Sequence, residues 1–230
     1  MKVAILQSNY IPWRGYFDLI NDVDVFVFYD CVKYTKNDWR NRNVIYTKNG
    51  KQWLTIPVPA SAAKLVIDEV ILPDTRWQKI HAKSLSIGYG KAPHFDQLDE
   101  IINEFLINHD WKSLADLNRQ MITRVSRRLG CTTVFRDARE FTLAEDRVDR
   151  LLGIMKALGA TEYISGPAAA AYLGGKEHLF HDLGIRLTYK YYRRYSEYRQ
   201  LRQPYEPAVS ILDAIANLPW TEIPNHIWAE

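Results

Sequence analysis

The chain has little of several things that would settle its class at a glance. Its 230 residues hold only two cysteines, Cys31 and Cys131, and neither sits in a metal-binding or redox motif. A disulfide framework or a zinc site is therefore not expected, and a reducing compartment is. No stretch reaches the roughly 18 uncharged apolar residues that a membrane span needs. The opening MKVAILQSNY lacks both the long apolar core and the small-residue cleavage site of a signal peptide. Net charge is only +3, too small by itself to argue for nucleic acid. There is no Gly-x-Ser-x-Gly elbow, no Gly-rich phosphate loop ending in Lys-Ser/Thr and no Gly-x-Gly-x-x-Gly. Hydrophobic content of 47% and charged content of 25% are ordinary for a globular protein. The expectation is a cytoplasmic protein of one domain, residues 1–230, with a proper core.

What is present concentrates near the start, in KVAILQSNYIPWRGYFDLINDVDVFVFYDCVKYTKNDWRNRN. Val3 to Leu6 is an apolar run suited to a buried strand. A polar and aromatic turn with Pro12 and Gly15 follows, then a short helical stretch from Tyr16 to Ile20. Val23 to Phe28 reads as a second strand. Strand, irregular loop, helix, strand is a βαβ unit, and parallel sheets bind ligands in the loops at the strand carboxyl ends. Those loops hold the chemically capable residues. Gln7, Asn9, Tyr10, Trp13 and Tyr16 follow the first strand. Asp30, Lys33, Tyr34 and Lys36, then residues 38–43, follow the second.

Charge is distributed unevenly. Between Lys33 and Trp53 six basic residues face one acid, Asp38, and Arg186 to Gln203 holds another six (Arg186, Lys190, Arg193, Arg194, Arg199, Arg202) against Glu197. Both segments are laced with aromatic rings. Guanidinium groups grip phosphate and flat rings stack on bases, so the pattern suits a nucleotide or nucleotide sugar. It also suits single-stranded RNA or a solvated face.

Farther along, Val44 to Tyr46 and Trp53 to Val58 flank Asn49-Gly50, a hairpin signal. Leu65 to Leu72 is a further strand candidate. Residues 76–130 read as a helical insertion, with apolar residues at three-and-four spacing (Leu98, Ile101, Ile102, Phe105; then Leu114, Leu117, Met121, Val125, Leu129). Strand candidates at Thr132 to Phe135, Tyr163 to Ser165 and Leu187 to Tyr192 restore the alternation, with a helix from Val148 to Leu158 among them. The fold class is α/β, a Rossmann-like parallel sheet with a helical insertion and a β-hairpin. Ser165-Gly166-Pro167, between a strand and an alanine-rich helix, offers a hydroxyl and free amides to an anion, or simply a cap.

The series Gln7-x-Asn9-Tyr10-Ile11-Pro12-Trp13-x-Gly15-Tyr16-Phe17-Asp18, the block Trp39-Arg40-Asn41-Arg42-Asn43, the strand Leu54 to Val58 and the Ser165 to Ala168 turn together resemble the WbqC-like family over nearly the whole length. That resemblance implies surface-glycan or O-antigen assembly, with an acyl or aminoacyl group transferred or ligated to the amine of a nucleotide-linked sugar. The opening Asn-x-x-Pro-x-x-Gly also looks like that of HIGH-type nucleotidyltransferases, without their two histidines. Charge stabilisation would then fall to Lys33, Lys36, Arg40 or Arg42. The donor stays open among acyl-CoA, an acyl carrier, aminoacyl-tRNA and ATP with a free acid.

Candidate catalytic groups are Asp30 at a strand end, His81 as a base near neutral pH and Lys36. Candidate substrate-binding residues are Gln7, Asn9, Tyr10, Trp13, Gly15, Tyr16, Lys33, Trp39, Arg40, Asn41, Arg42, Ser165 and Gly166. No metal site is expected from His178 and His181, and no stable nucleic-acid complex. A non-catalytic protein that holds a nucleotide sugar is the alternative, as is an adenylyl-transferring enzyme.

Overall fold

A computed structural model describes residues 1–192 and 195–228, and Arg193 and Arg194 of the second basic segment lie outside the described residues. The strands are β1 (Lys2–Leu6), β2 (Val25–Phe28), β3 (Arg42–Thr47), β4 (Gly50–Thr55), β5 (Val134–Asp137), β6 (Glu162–Ser165) and β7 (Arg186–Tyr189). The helices are α1 (Arg14–Asn21), α2 (Arg76–Tyr89), α3 (Phe95–Ile102), α4 (Leu114–Arg128), α5 (Arg147–Leu158), α6 (Ala170–Leu173), α7 (Glu177–His181) and α8 (Ile211–Asn217). Among the described residues no helix is long and apolar enough to cross a membrane.

Five strands form one sheet in the order β5-β2-β1-β6-β7, every neighbouring pair parallel. The near-continuous apolar runs of β1 and β2 follow from this, because a central parallel strand is covered on both faces. Alternate residues feed two cores. Ala4, Phe26 and Phe28 belong to a core that takes in residues of α1, α2, α3, α4 and α8, whereas Val3, Ile5, Val25 and Val27 belong to one with residues of α5 and Phe180 of α7. The α/β class with a Rossmann-like sheet, a hairpin and helices between β4 and β5 is what the chain adopts.

Three local expectations need correction. Leu65 to Leu72 is not a strand. It makes isolated bridges, Lys33 with Val66 and Ile71 with Ser113, around a 3₁₀ turn at Ile67–Glu69. The Glu69 carboxylate accepts from the Val66 N–H at 3.2 Å and bends the chain there. The hairpin turn lies one residue earlier than Asn49-Gly50: Thr47 pairs with Gly50, so Lys48 and Asn49 are its centre. Gly50 follows at φ +101°, a left-handed position that glycine fills without strain. The alanine-rich helix after Pro167 is a 3₁₀ turn plus the four residues of α6.

The second basic and aromatic segment is largely consumed in packing. Lys190 Nζ sits 2.8 Å from Asp18 and 2.6 Å from Asp22. The hydroxyl of Tyr195 donates to Asp18 at 2.7 Å and that of Tyr198 to Asp213 at 2.7 Å. Arg14, buried at the start of α1, donates to the Ser196 and His226 carbonyls at 3.0 Å and lies over the Tyr195 ring. These contacts fasten Lys190 and Tyr195 to α1 and Tyr198 to α8.

Phe26 is fully buried, with ring neighbours Tyr16, Phe28 and Phe135 at 5.3–6.0 Å between centroids. Replacing it removes the ring that joins β2 to α1 and β5. Phe26→Ala is expected to cost about 3–5 kcal/mol in urea unfolding, and a loss under about 1 kcal/mol would contradict this account of the core.

Candidate functional site

The sheet order sets where a ligand fits. From β1 the chain builds outward through β2 to β5, then returns to place β6 and β7 on the other side of β1. The strand order therefore reverses between β1 and β6, and the crevice beyond their carboxyl ends is where open parallel sheets bind ligands. A cleft of about 340 Å³ lies there, lined among others by Gln7, Tyr29, Arg40, Arg147, Gly166 and Tyr172. A second, mostly apolar cavity of about 300 Å³ is lined by Asn9, Pro12, Trp13, Trp39, Asn43 and Ala208.

Arg40 stands between the two. Its guanidinium donates to Asn9 Oδ1 and, at 3.2 Å, to Gln7 Oε1, with Asp38 at 3.5 Å. Arginine can only donate, so both amide side chains turn their oxygens to it and keep their NH₂ groups for other partners. The Arg40 carbonyl accepts from Asn118 Nδ2 of α4 at 2.8 Å. Arg147, the first residue of α5, lies 3.3 Å over the Tyr172 ring, a stacked placement that leaves guanidinium edges for an anion.

The loop after β1 is held in a strained shape. Ile11 has φ +38°, a left-handed conformation that costs a β-branched residue of order 1–3 kcal/mol. Asn43 Nδ2 donates to the Tyr10 and Ile11 carbonyls at 3.0 Å, and Tyr10 N–H donates to the Trp39 carbonyl at 2.9 Å. Any Cβ on Gly15 would collide with the Trp13 indole, so Gly15 lets that ring fold back over α1. Trp13 then packs edge-on to Tyr192 at 5.1 Å.

At the ends of β2 and β5, α4 supplies Arg119. Its Nε donates to Asp30 at 2.8 Å, one NH to Asp137 at 2.5 Å and the other to Asp68. Asp30 is fully buried, and its second oxygen accepts from the Ser8 N–H at 2.7 Å. Burial pushes the Asp30 carboxyl up, and Arg119 and the Ser8 N–H offset part of that. Asp137 is held low despite burial, chiefly by hydrogen bonds from Arg139.

The sequence-predicted residues therefore separate into groups. Gln7, Arg40, Ser165 and Gly166 meet at the switch-point cleft, and Asn9, Trp13 and Trp39 at the apolar cavity. Tyr10, Tyr16 and Asn41 are buried supports: Tyr16 donates to the Gln7 carbonyl at 2.9 Å and Asn41 to the Ile56 carbonyl at 2.8 Å. Ser165 spends its hydroxyl on Tyr163 at 3.2 Å, not on a cap. Arg42 lies over the Trp53 ring at 4.4 Å, and Lys33 and Lys36 are exposed on the loop after β2.

The candidate catalytic groups are not brought together. Asp30 is paired with Arg119, and both its oxygens are engaged. His81 is buried on α2 with its Nδ1 2.8 Å from the Tyr10 hydroxyl. Burial lowers its pKa to about 4, with the Thr55 main chain as a further partner, which leaves a weak base at neutral pH.

Sequence reasoning missed Tyr29, Arg147 and Tyr172 in the cleft, and Asn118 and Arg119 behind it. One signal was available for Arg147. Asp146 caps α5 by accepting from Val148 N–H at 2.7 Å, and an Asp-Arg pair opening a helix after a strand marks the carboxyl edge of a sheet.

Fold and cleft together define a doubly wound α/β protein with its crevice at the switch point. The chain belongs to the WbqC-like protein family, whose model matches residues 7–224. It is 41% identical over 227 residues, 98% of this chain and 97% of the relative, to a Mycobacterium tuberculosis protein named "Uncharacterized protein Rv1507c". No solved structure matches the chain.

Arg119→Ala would strand Asp30 without a countercharge and leave Asp68 with only Arg139, at 3.6 Å. A loss of about 3–5 kcal/mol in urea unfolding is expected, and Arg119→Lys, with no forked geometry, should recover little of it. A second outcome concerns pH. His81 stays neutral in the native state until about pH 4, while the unfolded chain protonates its histidine from about 6.5, so stability is lost as pH falls across that window. The loss approaches roughly 3 kcal/mol. Asp213, raised to about 6 by burial, works in the opposite sense. Comparing urea midpoints of the native chain and His81→Gln between pH 7 and 4 isolates the histidine, and equal acid slopes would refute its assignment.

Proposed function

We propose that the chain binds a nucleotide-linked amino sugar at the switch-point cleft and joins an acyl or aminoacyl group to its amine in surface-polysaccharide assembly. The observation that carries this reading is the convergence of Arg40 and Arg147 on one crevice at the carboxyl edge of a parallel sheet. Two guanidiniums suit a diphosphate, because planar forked donors match phosphate oxygens. Gly166 leaves open space where a side chain would stand, so substrate can approach the backbone there. The glycan context is what the resemblance to the WbqC-like family implies.

In the transfer itself the sugar nitrogen attacks the acyl carbonyl carbon. A C–N bond forms, the bond to the leaving group breaks, and the proton given up by the amine passes to the departing group or to solvent. The leaving group is a thiolate, a tRNA hydroxyl or, where ATP first activates a free acid as an acyl adenylate with release of pyrophosphate, AMP. Of the three predicted catalytic groups Lys36 alone is exposed, on the loop after β2, and in this reading Asp30 acts through Arg119 and Ser8 as a positioning residue. A second reading, a non-catalytic holder of a nucleotide sugar, is favoured by one observation: Asp30 and His81 are both buried and engaged away from the cleft.

Mass spectrometry after incubation with nucleotide-linked amino sugars and each donor class decides between them. A product heavier by one acyl or aminoacyl unit is expected. No product, with a nucleotide sugar still raising Tm, would hand the protein to the holder reading; neither effect would overturn both. Arg147→Ala is expected to weaken nucleotide-sugar affinity about tenfold or more in calorimetry, the size of a lost charge-assisted hydrogen bond.

A further inference from the structure

Trp39 and Trp53 are about half exposed, at 48% and 49%, unusual for the largest apolar side chain. They stack on each other with ring centroids 5.8 Å apart and planes 29° from parallel. Arg42 lies over Trp53 at 4.4 Å, so Trp53 packs against both a guanidinium and the Trp39 indole. A ring held this way is immobilised in advance, which lowers the entropic cost of placing a ligand against it. Trp39 also lines the apolar cavity, where Trp13 stands as a second ring. That cavity offers few polar groups. The Asn43 side chain is spent on the Tyr10 and Ile11 carbonyls and the Val44 N–H, while Asn9, with its oxygen turned to Arg40, keeps an amide N–H to donate.

The cleft and the cavity adjoin through consecutive residues. Trp39 lines one and Arg40 the other, and the divide is the hydrogen bond from Arg40 to Asn9. At about 300 and 340 Å³ each sits at the lower end of ligand-pocket volumes, about 300–1,000 Å³, and together they reach the middle of that range. Chemically they are complementary: two cations in one, two indoles in the other.

We infer that cavity and cleft are one bipartite nucleoside-diphosphate site, in which the planar base stacks on Trp39 in the apolar cavity and the diphosphate crosses Arg40 toward Arg147. The sugar then projects along the cleft toward Gly166. This assignment rests on the nucleotide-sugar reading above and adds the orientation and the recognition element. A hydrogen-bond donor at Asn9 meets the edge of the stacked base.

Calorimetry with UDP, ADP and inorganic pyrophosphate tests it. Base–aromatic stacking is commonly worth about five- to a hundredfold in affinity. Trp39→Ala is therefore expected to weaken UDP and ADP at least tenfold and to leave pyrophosphate within about twofold, while Arg147→Ala weakens all three. Trp39→Phe, which keeps a flat ring, should restore most of the nucleotide affinity and guards against a disturbed loop. The inference is overturned if Trp39→Ala leaves nucleotide affinity unchanged, if it weakens pyrophosphate equally, or if the unaltered protein binds UDP no better than pyrophosphate. In each of those cases the anion cleft at Arg40 and Arg147 survives. Binding of none of the three probes by the unaltered protein would remove the nucleotide-sugar reading itself.

Discussion

One guanidinium organises the carboxyl edge of this sheet. Arg119 reaches from α4 to three carboxylates that are distant in the chain: Asp30 after β2, Asp68 in the 3₁₀ turn beyond the hairpin, and Asp137 at the end of β5. Asp30 passes the connection on to the Ser8 N–H, the residue after Gln7 in the loop that follows β1. Three of these segments already follow neighbouring strands of the sheet, and the guanidinium ties them and the 3₁₀ turn together at one point. Such a cluster stabilises only as a complete set, since each carboxylate is partly or wholly desolvated and would be costly alone. The residue before it, Asn118, holds the Arg40 carbonyl. A single turn of α4 therefore braces both the carboxylate cluster after β2 and β5 and the cation at the cleft's divide.

The helical insertion accordingly serves the site as well as the core. Its apolar face buries against Phe26 and Phe28, as its periodicity demands, while Asn118 and Arg119 contact the loops. A strained Ile11 beside a tightly tied Asn43 fits the same picture. The backbone after β1 is kept in a conformation it would not choose, by hydrogen bonds from a strand more than thirty residues later. The rings and amides of that loop are thus delivered in fixed positions, which favours binding over adaptation.

Much of the architecture was legible because its signals are local. Apolar runs such as Val3 to Leu6 can only be covered strands, and the stripe from Val148 to Leu158 can only be one helix face. The correspondence failed where a long-range contact overrode local preference. Leu65 to Leu72 has strand-like composition, yet Asp68 is drawn to Arg119 and Glu69 turns the chain. The tyrosines and cations after Arg186 look like a ligand surface, yet Tyr195, Tyr198 and Lys190 are taken by Asp18, Asp22 and Asp213. Composition reports what a segment is able to bind and not which partner reaches it first.

The amino-acid sequence by itself determined the α/β class, the βαβ opening, the loop residues Gln7, Asn9, Trp13, Trp39 and Arg40, and the family to which they belong. These follow from periodicity and from side-chain chemistry within a few dozen residues. Only the tertiary structure decided that Arg147 and Tyr172 complete the cleft, that His81 and Asp30 are withdrawn from it, and that Trp39 and Arg40 face different cavities. The reason is physical: burial, ion pairing and stacking depend on which distant segments share a neighbourhood, and that is fixed by the order of strands in the sheet.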